Sequence, residues 1–186
     1  MRRTQARLKL LAAVCAALDA AAIPYALIGA GALTVHGVGR STLDLDLLTT
    51  DPSVLAAGFW RRRMTGGASA DVRRGDSDDP LAGVVRFGAA DEAPVDLVVG
   101  RSEWQSRILR RAQRLSLGRI ALPVAGAADL ILLKLFAGGS QDAWDIVQVL
   151  AAGDASSLAT DVESRLPELP PEAAAFWWRI RTVERG

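Results

Sequence analysis

Two aspartates one residue apart, Asp44 and Asp46, sit in the apolar run Leu43-Asp44-Leu45-Asp46-Leu47. In an extended strand side chains alternate faces, so both carboxylates project from one side while the leucines fill the other. Two ionised carboxylates on a half-buried face repel and lose hydration, and a bound divalent cation removes both penalties. Magnesium suits such a pair: it takes oxygen ligands, one or two of them protein carboxylates, and completes its octahedron with phosphates and water. An edge strand with a solvated polar face would show the same pattern. Upstream, Tyr25 to Ile28 runs into Gly29-Ala30-Gly31 and then Ala32-Leu33. That order is a strand-to-helix turn, where free backbone N–H groups and the helix dipole receive a phosphate. Ordinary turn chemistry is its plainer explanation. A glycine turn followed so closely by the carboxylate pair points to a phosphate held beside a metal.

Three further stretches carry groups that need explaining. Asp96 interrupts the apolar run Pro94-Val95-Asp96-Leu97-Val98-Val99, and an acid there is costly unless it has a partner or points outward from an edge strand. Lys134 is the one cation in Ala127–Ala137, where a lysine ordinarily snorkels to solvent. Arginines 101, 107, 110, 111 and 114 form the densest positive cluster, which serves either as a solvated helix face or as a seat for an anionic partner.

Gly29-Ala30, thirteen residues, and then Asp44-Leu45-Asp46-Leu47 resembles the signature of the nucleotidyltransferase superfamily related to DNA polymerase beta. Within it, the segment from Ile28 to Leu48 is most similar to the AbiEii-like and minimal nucleotidyltransferases, with His36-Gly37, Arg40 and Thr42 matching their motif. Pro123, Val124, Asp129, Leu130 and Lys134, followed by Asp142 and Asp145, resemble the same group. Ala30 departs from the pattern, which has Gly or Ser there, so no side-chain hydroxyl is offered to a phosphate. The resemblance implies an α/β fold, a small mixed twisted sheet of about five strands flanked by helices with a C-terminal helical extension. It implies transfer of a nucleoside monophosphate from an NTP to a hydroxyl acceptor with magnesium or manganese. Asp44, Asp46 and Asp96 would be catalytic and metal-binding, Asp96 taking the acceptor's proton or sharing the metals. Gly29, Ala30, Arg40, Thr42 and Lys134 would bind the nucleotide, and Asp142 and Asp145 would support the site. A toxin-type enzyme with a tRNA acceptor and an antitoxin partner is one alternative. A non-catalytic nucleotide- or partner-binding module, for which Ala30 is the hint, is the other.

The elements that must position these groups follow from pattern. A helix over residues 4–21 has Leu8, Leu11, Cys15 and Leu18 on one face and ends at Ile23-Pro24. A strand over 25–29, a helix over 30–37 and a strand over 43–49 follow. Thr50 or Asp51 is expected to cap a helix from Pro52 that carries Val54, Leu55, Phe59 and Trp60 and ends in Arg61–Arg63. Two strands joined by the turn at Asp76–Pro80, the strand bearing Asp96, a basic helix over 101–115 and a strand over 116–124 come next. Helices over 127–137, from Ser140, and two from Asp154 complete the chain. Residues 1–150 read as the nucleotidyltransferase-like domain and 151–186 as the extension.

With 186 residues, half of them hydrophobic, the chain can bury a core of this kind. A formal net charge of +1 excludes a global electrostatic case for nucleic acid. One cysteine excludes an internal disulfide. The basic, apolar start resembles a secretory leader, but Lys9 and Asp19 bracket an apolar stretch of only nine residues. No stretch approaches the ~20 apolar residues of a membrane span. A cytoplasmic protein is expected.

Overall fold

The computed structural model describes residues 8–39, 45–56, 58–64 and 67–183. They divide into two compact units, one drawn from Met1–Val35 and Arg40–Ala125, the other from His36–Gly39 and Gly126–Gly186.

The first unit carries helix α1 (Lys9–Ala20), strand β1 (Ala26–Ile28), helix α2 (Gly29–Val35), β2 (Leu45–Thr49), β3 (Ser69–Arg74), β4 (Leu81–Gly88), β5 (Val95–Gly100), helix α3 (Glu103–Arg111), β6 (Gln113–Leu117) and β7 (Ile120–Val124). The strands form one seven-stranded sheet in the order β3-β4-β5-β2-β1-β7-β6. β2 runs parallel to β5 and β1 parallel to β7, while the other neighbours are antiparallel, so the expected mixed sheet is present. It has two more strands than the five or so expected.

Alternation explains which face is core. Leu45 and Leu47 on β2, Val85 and Phe87 on β4, and Val95, Leu97 and Val99 on β5 are fully buried. Each such side chain contributes roughly 1.5–3 kcal/mol relative to exposure. Trp60 packs edge-on against Phe87 at 4.6 Å between ring centres. The opposite face carries Asp46 and Leu48 on β2, Val84 and Arg86 on β4, and Asp96 and Val98 on β5.

Two expected elements take another form. The helix from Pro52 is only a 3₁₀ turn, Pro52–Leu55. Asp51 does cap it, accepting from the Ser53 N–H at 2.9 Å, but Ala56 is extended (φ −71°, ψ 130°) and stops propagation. The Trp60 indole N–H then donates to the Val54 carbonyl at 2.7 Å, and Arg63 stacks on Phe59 at 4.0 Å. The basic helix over 101–115 ends at Arg111, because Gln113–Leu117 turns back as β6 and pairs with β7. Gly118, in the left-handed region (φ 60°), allows that tight hairpin. Leu115 and Arg114 are therefore strand residues, and the arginine cluster does not share one helix face.

Helix α1 buries Leu11, Val14, Cys15 and Leu18. Burial pushes the Cys15 thiol up to about 11, and the neighbouring Tyr25 hydroxyl, also buried, well above its usual range. Both are neutral near pH 7, so neither is an activated nucleophile.

The second unit holds helices α4 (Ala127–Ala137), α5 (Ser140–Ala152), α6 (Ala155–Arg165) and α7 (Pro171–Val183). Gly138, left-handed at φ 73°, ends α4. Asp154 caps α6, accepting from the N–H groups of Ser156 and Ser157. Of the adjacent tryptophans on α7, Trp177 is buried and Trp178 is half exposed, since neighbours on a helix point in directions about 100° apart. Among the described residues no helix is long and apolar enough to cross a membrane.

Candidate active site

The parallel register of β2 and β5 sets Asp46 directly beside Asp96. Both strands alternate, so the two carboxylates lie on the same face, opposite Leu45, Leu47, Val95 and Leu97. Like charges opposite one another destabilise a strand pair, and nothing in hydrophobic packing asks for this arrangement. One row across the sheet reads Asp71 on β3, Arg86 on β4, Asp96 on β5, Asp46 on β2 and Ile28 on β1.

Asp96 is incompletely satisfied. Its Oδ1 is buried and accepts no hydrogen bond among the described residues. The nearest cation, Arg86, approaches it with Nε at 3.8 Å, close enough for attraction and too far for a hydrogen bond. A buried carboxylate oxygen without a donor costs about 1–3 kcal/mol or more.

Asp46 is seated against the glycine turn. A Cβ added at Gly29 would lie 2.1 Å from Asp46 Oδ2, and Gly29 has φ +61°. Only glycine fits both the close approach and the left-handed backbone. The turn thus brings backbone within reach of the carboxylate, linking the two features, Gly29 and Asp46, that the sequence places seventeen residues apart. Ala30 is buried, with Thr34 Oγ1 donating to its carbonyl at 3.0 Å, so its contribution to any ligand is backbone alone.

A hard cation fits this donor set. Two carboxylates share one register, one has a bare buried oxygen, and magnesium asks for only one or two protein carboxylates. Among the described residues there is no group of three or more His, Cys, Asp or Glu arranged to hold a metal. Asp44, Arg40 and Thr42, expected at this site, lie outside the described residues.

Lys134, Asp142 and Asp145 come together in the helical unit. Lys134 Nζ lies 2.8 Å from Asp142 Oδ1 and 2.6 Å from Asp145 Oδ2, and Asp145 is 1% exposed. Asp142 Oδ2 also accepts from the Gly139 N–H at 3.0 Å, at the start of α5. Asp129, 3% exposed at its side chain, is likewise paired, with Arg165 Nη1 at 3.1 Å. An ammonium has three donors, so two pairings leave Lys134 with one more.

Sequence reasoning missed Arg86, which falls within a predicted strand and carried no further signal. Its pairing with Asp96 depends on β4 and β5 being neighbours in register, which spacing alone does not supply. The arginines of 101–115 are partly spent: Arg110 donates to Glu103 at 2.8 Å, holding that carboxyl below its usual range, and Arg107 adds a longer contact. Arg101 donates to the carbonyls of Gly75 and Asp76 instead.

No family model matches the chain, and no curated protein does. Among solved structures it is similar to an antigenic nucleotidyltransferase-like protein from Paracoccidioides brasiliensis, at 17% identity over 91% of this chain and 92% of that one, with a TM-score of 0.51. It is also similar to the antibiotic-resistance factor ANT(2'')-Ia, at 16% identity over 97% and 96% of the two chains and a TM-score of 0.46. A further similarity is to terminal uridylyl transferase 4 from Trypanosoma brucei with bound GTP, at 18% identity over 91% of this chain and 57% of that one, TM-score 0.40. The first of these shows that the fold is the nucleotidyltransferase-like one.

Proposed function

We propose that this chain transfers a nucleoside monophosphate from an NTP to a hydroxyl acceptor, in the AbiEii-like manner its sequence motifs resemble. The observation that carries the proposal is the juxtaposition of Asp46 and Asp96 at one register over the Gly29 turn, with a bare buried oxygen on Asp96. A strand pair that keeps two like charges adjacent is explained by a ligand that neutralises them.

Asp46 and Asp96, together with Asp44 two residues upstream, would hold magnesium or manganese. The cation would supply charge neutralisation to the triphosphate and the developing oxyanions. The turn at Gly29, Ala30 and Gly31 would receive phosphate oxygens on backbone N–H groups, since Ala30 has no hydroxyl to offer. Arg40, Thr42 and Lys134, which the resemblance assigns to the nucleotide, would add phosphate contacts; Asp142 and Asp145 fix the lysine's head. In the transfer, the acceptor oxygen bonds the α-phosphorus as the bond to the bridging α–β oxygen breaks. Pyrophosphate leaves with that electron pair, and the acceptor's proton passes to the Asp96 carboxylate.

Calorimetric titration with magnesium and a non-hydrolysable ATP analogue tests the assignment. Wild-type chain should bind, and Asp44→Ala or Asp46→Asn should weaken binding roughly a hundredfold, the loss expected of a coordinating carboxylate. Absence of binding to the wild-type chain, or equal binding by the variants, overturns it.

A further inference from the structure

An open cleft of about 380 Å³ lies immediately beyond Asp96, on the side away from Asp46. Arg73, Arg74, Arg86, Asp79 and Asp96 supply its charged lining, all of them on β3, β4, β5 and the turn between β3 and β4. Two of those charges are already committed. Arg74 donates to the Leu55 carbonyl at 2.8 Å, and Asp79 Oδ2 accepts from the Asp76 N–H at 2.9 Å. That leaves Arg73 and Arg86 facing the cleft with most of their guanidinium donors unspent. Arg73 makes one contact, to the exposed Asp71 at 3.2 Å, and Arg86 makes the 3.8 Å approach to Asp96.

The cleft is built by the fold. Gly83 is what lets β4 close over β3, since a Cβ there would lie 2.3 Å from the Arg73 carbonyl oxygen and 2.9 Å from Leu55. A register shift between Leu81 and Gly83 bends the same strand. Charged residues on β3, an edge strand, would serve edge protection by themselves. Edge protection does not account for a concave site behind that edge, nor for a bare Asp96 oxygen at its inner end.

Strand order separates this cleft from the nucleotide. Gly29 and Asp46 belong to β1 and β2, on one flank of Asp96, and the arginines to β4 and β3 on the other. Three strand spacings, about 14 Å, lie between β1 and β4. An anion between Arg73 and Arg86 would sit about one to two spacings, 5–10 Å, from Asp96. That is the span between phosphate and hydroxyl in a sugar phosphate.

We infer that the β3–β4–β5 cleft is the acceptor seat, and that the acceptor is a phosphate-bearing hydroxyl compound, its phosphate held by Arg73 and Arg86 and its hydroxyl beside Asp96. The inference rests on the nucleotidyl-transfer function proposed above. Guanidiniums bind phosphate through paired N–H donors and repel a polycation, so an aminoglycoside-like acceptor is disfavoured here.

The test uses the full chain without NTP or metal, titrated with ribose 5-phosphate, ribose, a five-residue oligoribonucleotide and an aminoglycoside while backbone amide shifts are followed by NMR. Phosphate-dependent shifts across residues 73–86, weakened about tenfold or more by Arg73→Gln or Arg86→Gln, support the seat. Ribose 5-phosphate alone marks a small phosphate ester as acceptor, and stronger binding of the oligoribonucleotide marks a nucleic-acid end. Shifts equal for ribose and ribose 5-phosphate, shifts elsewhere, or aminoglycoside binding at this cleft overturn it. Arg73→Gln should bind magnesium with the ATP analogue as wild type does. Normal analogue binding with no phosphate response removes the cleft assignment alone. No analogue binding by the wild-type chain removes the transfer function, and the acceptor assignment with it.

Discussion

Asp145 in the helical unit and Asp96 in the sheet unit are both acids set among apolar residues, and they are treated in opposite ways. Asp145 is 1% exposed and meets Lys134 at 2.6 Å, Asp142 meets the same lysine at 2.8 Å, and Asp129 pairs separately with Arg165 at 3.1 Å, so each of these acids has a cation in contact. Asp96 has a cation only at 3.8 Å, another acid beside it in register, and a buried oxygen with no donor among the described residues. The first pattern holds helices together. The second pattern is the one on which the proposed metal and nucleotide site rests. Partner count and geometry, more than burial, distinguish the two kinds of acid.

The largest effect should come from breaking the satisfied cluster. Lys134→Ala leaves Asp145 buried without its cation and should cost about 3–5 kcal/mol in urea unfolding, with Asp145→Asn added to it recovering part of the loss. A variant as stable as the wild type would show that the pairing holds nothing, and the contrast between the units would fail. Gly29→Ala should cost about 2 kcal/mol, from the left-handed backbone and the contact with Asp46, and should weaken nucleotide binding at the same time. Stability loss with unaltered nucleotide binding would detach the turn from the site. The smallest effect should have the opposite sign: Asp96→Asn relieves repulsion of Asp46 and should stabilise by about 0.5 kcal/mol in the same assay. A loss of several kcal/mol on that change would mean that Asp96 is as structural as Asp145.

Local pattern made the sheet's apolar strands legible before any coordinates. Leu45 and Leu47, and Val95, Leu97 and Val99, announce a buried face by alternation, and Gly29 marks the strand-to-helix turn. Asp46 and Asp96 could be named as candidates because each breaks an apolar run. The resemblance already implied one site for both, but that they are register partners was not legible, since it depends on β5 inserting between β4 and β2. The helix expected from Pro52 failed for a tertiary reason: Trp60 takes the Val54 carbonyl and packs on Phe87, which an extended Ala56 permits and a continued helix would not. The 101–115 stretch misled because its apolar spacing and arginines suit a helix throughout, yet Gln113–Leu117 gains more from pairing with β7. The pairing of Lys134 with Asp142 and Asp145 was not legible, because those carboxylates reach it only once α4 and α5 pack.

The strand order also dictates when this site comes into being during folding. β3 and β4 meet across a six-residue turn, and β6 and β7 across two residues, so these hairpins close early. β2 must find β5 fifty residues further on, in parallel, and β1 must find β7 almost a hundred residues away. Loop-closure entropy makes such pairings slow. The row that joins Asp46 to Asp96 is therefore assembled among the last contacts of the sheet. Until then, the two carboxylates never face one another.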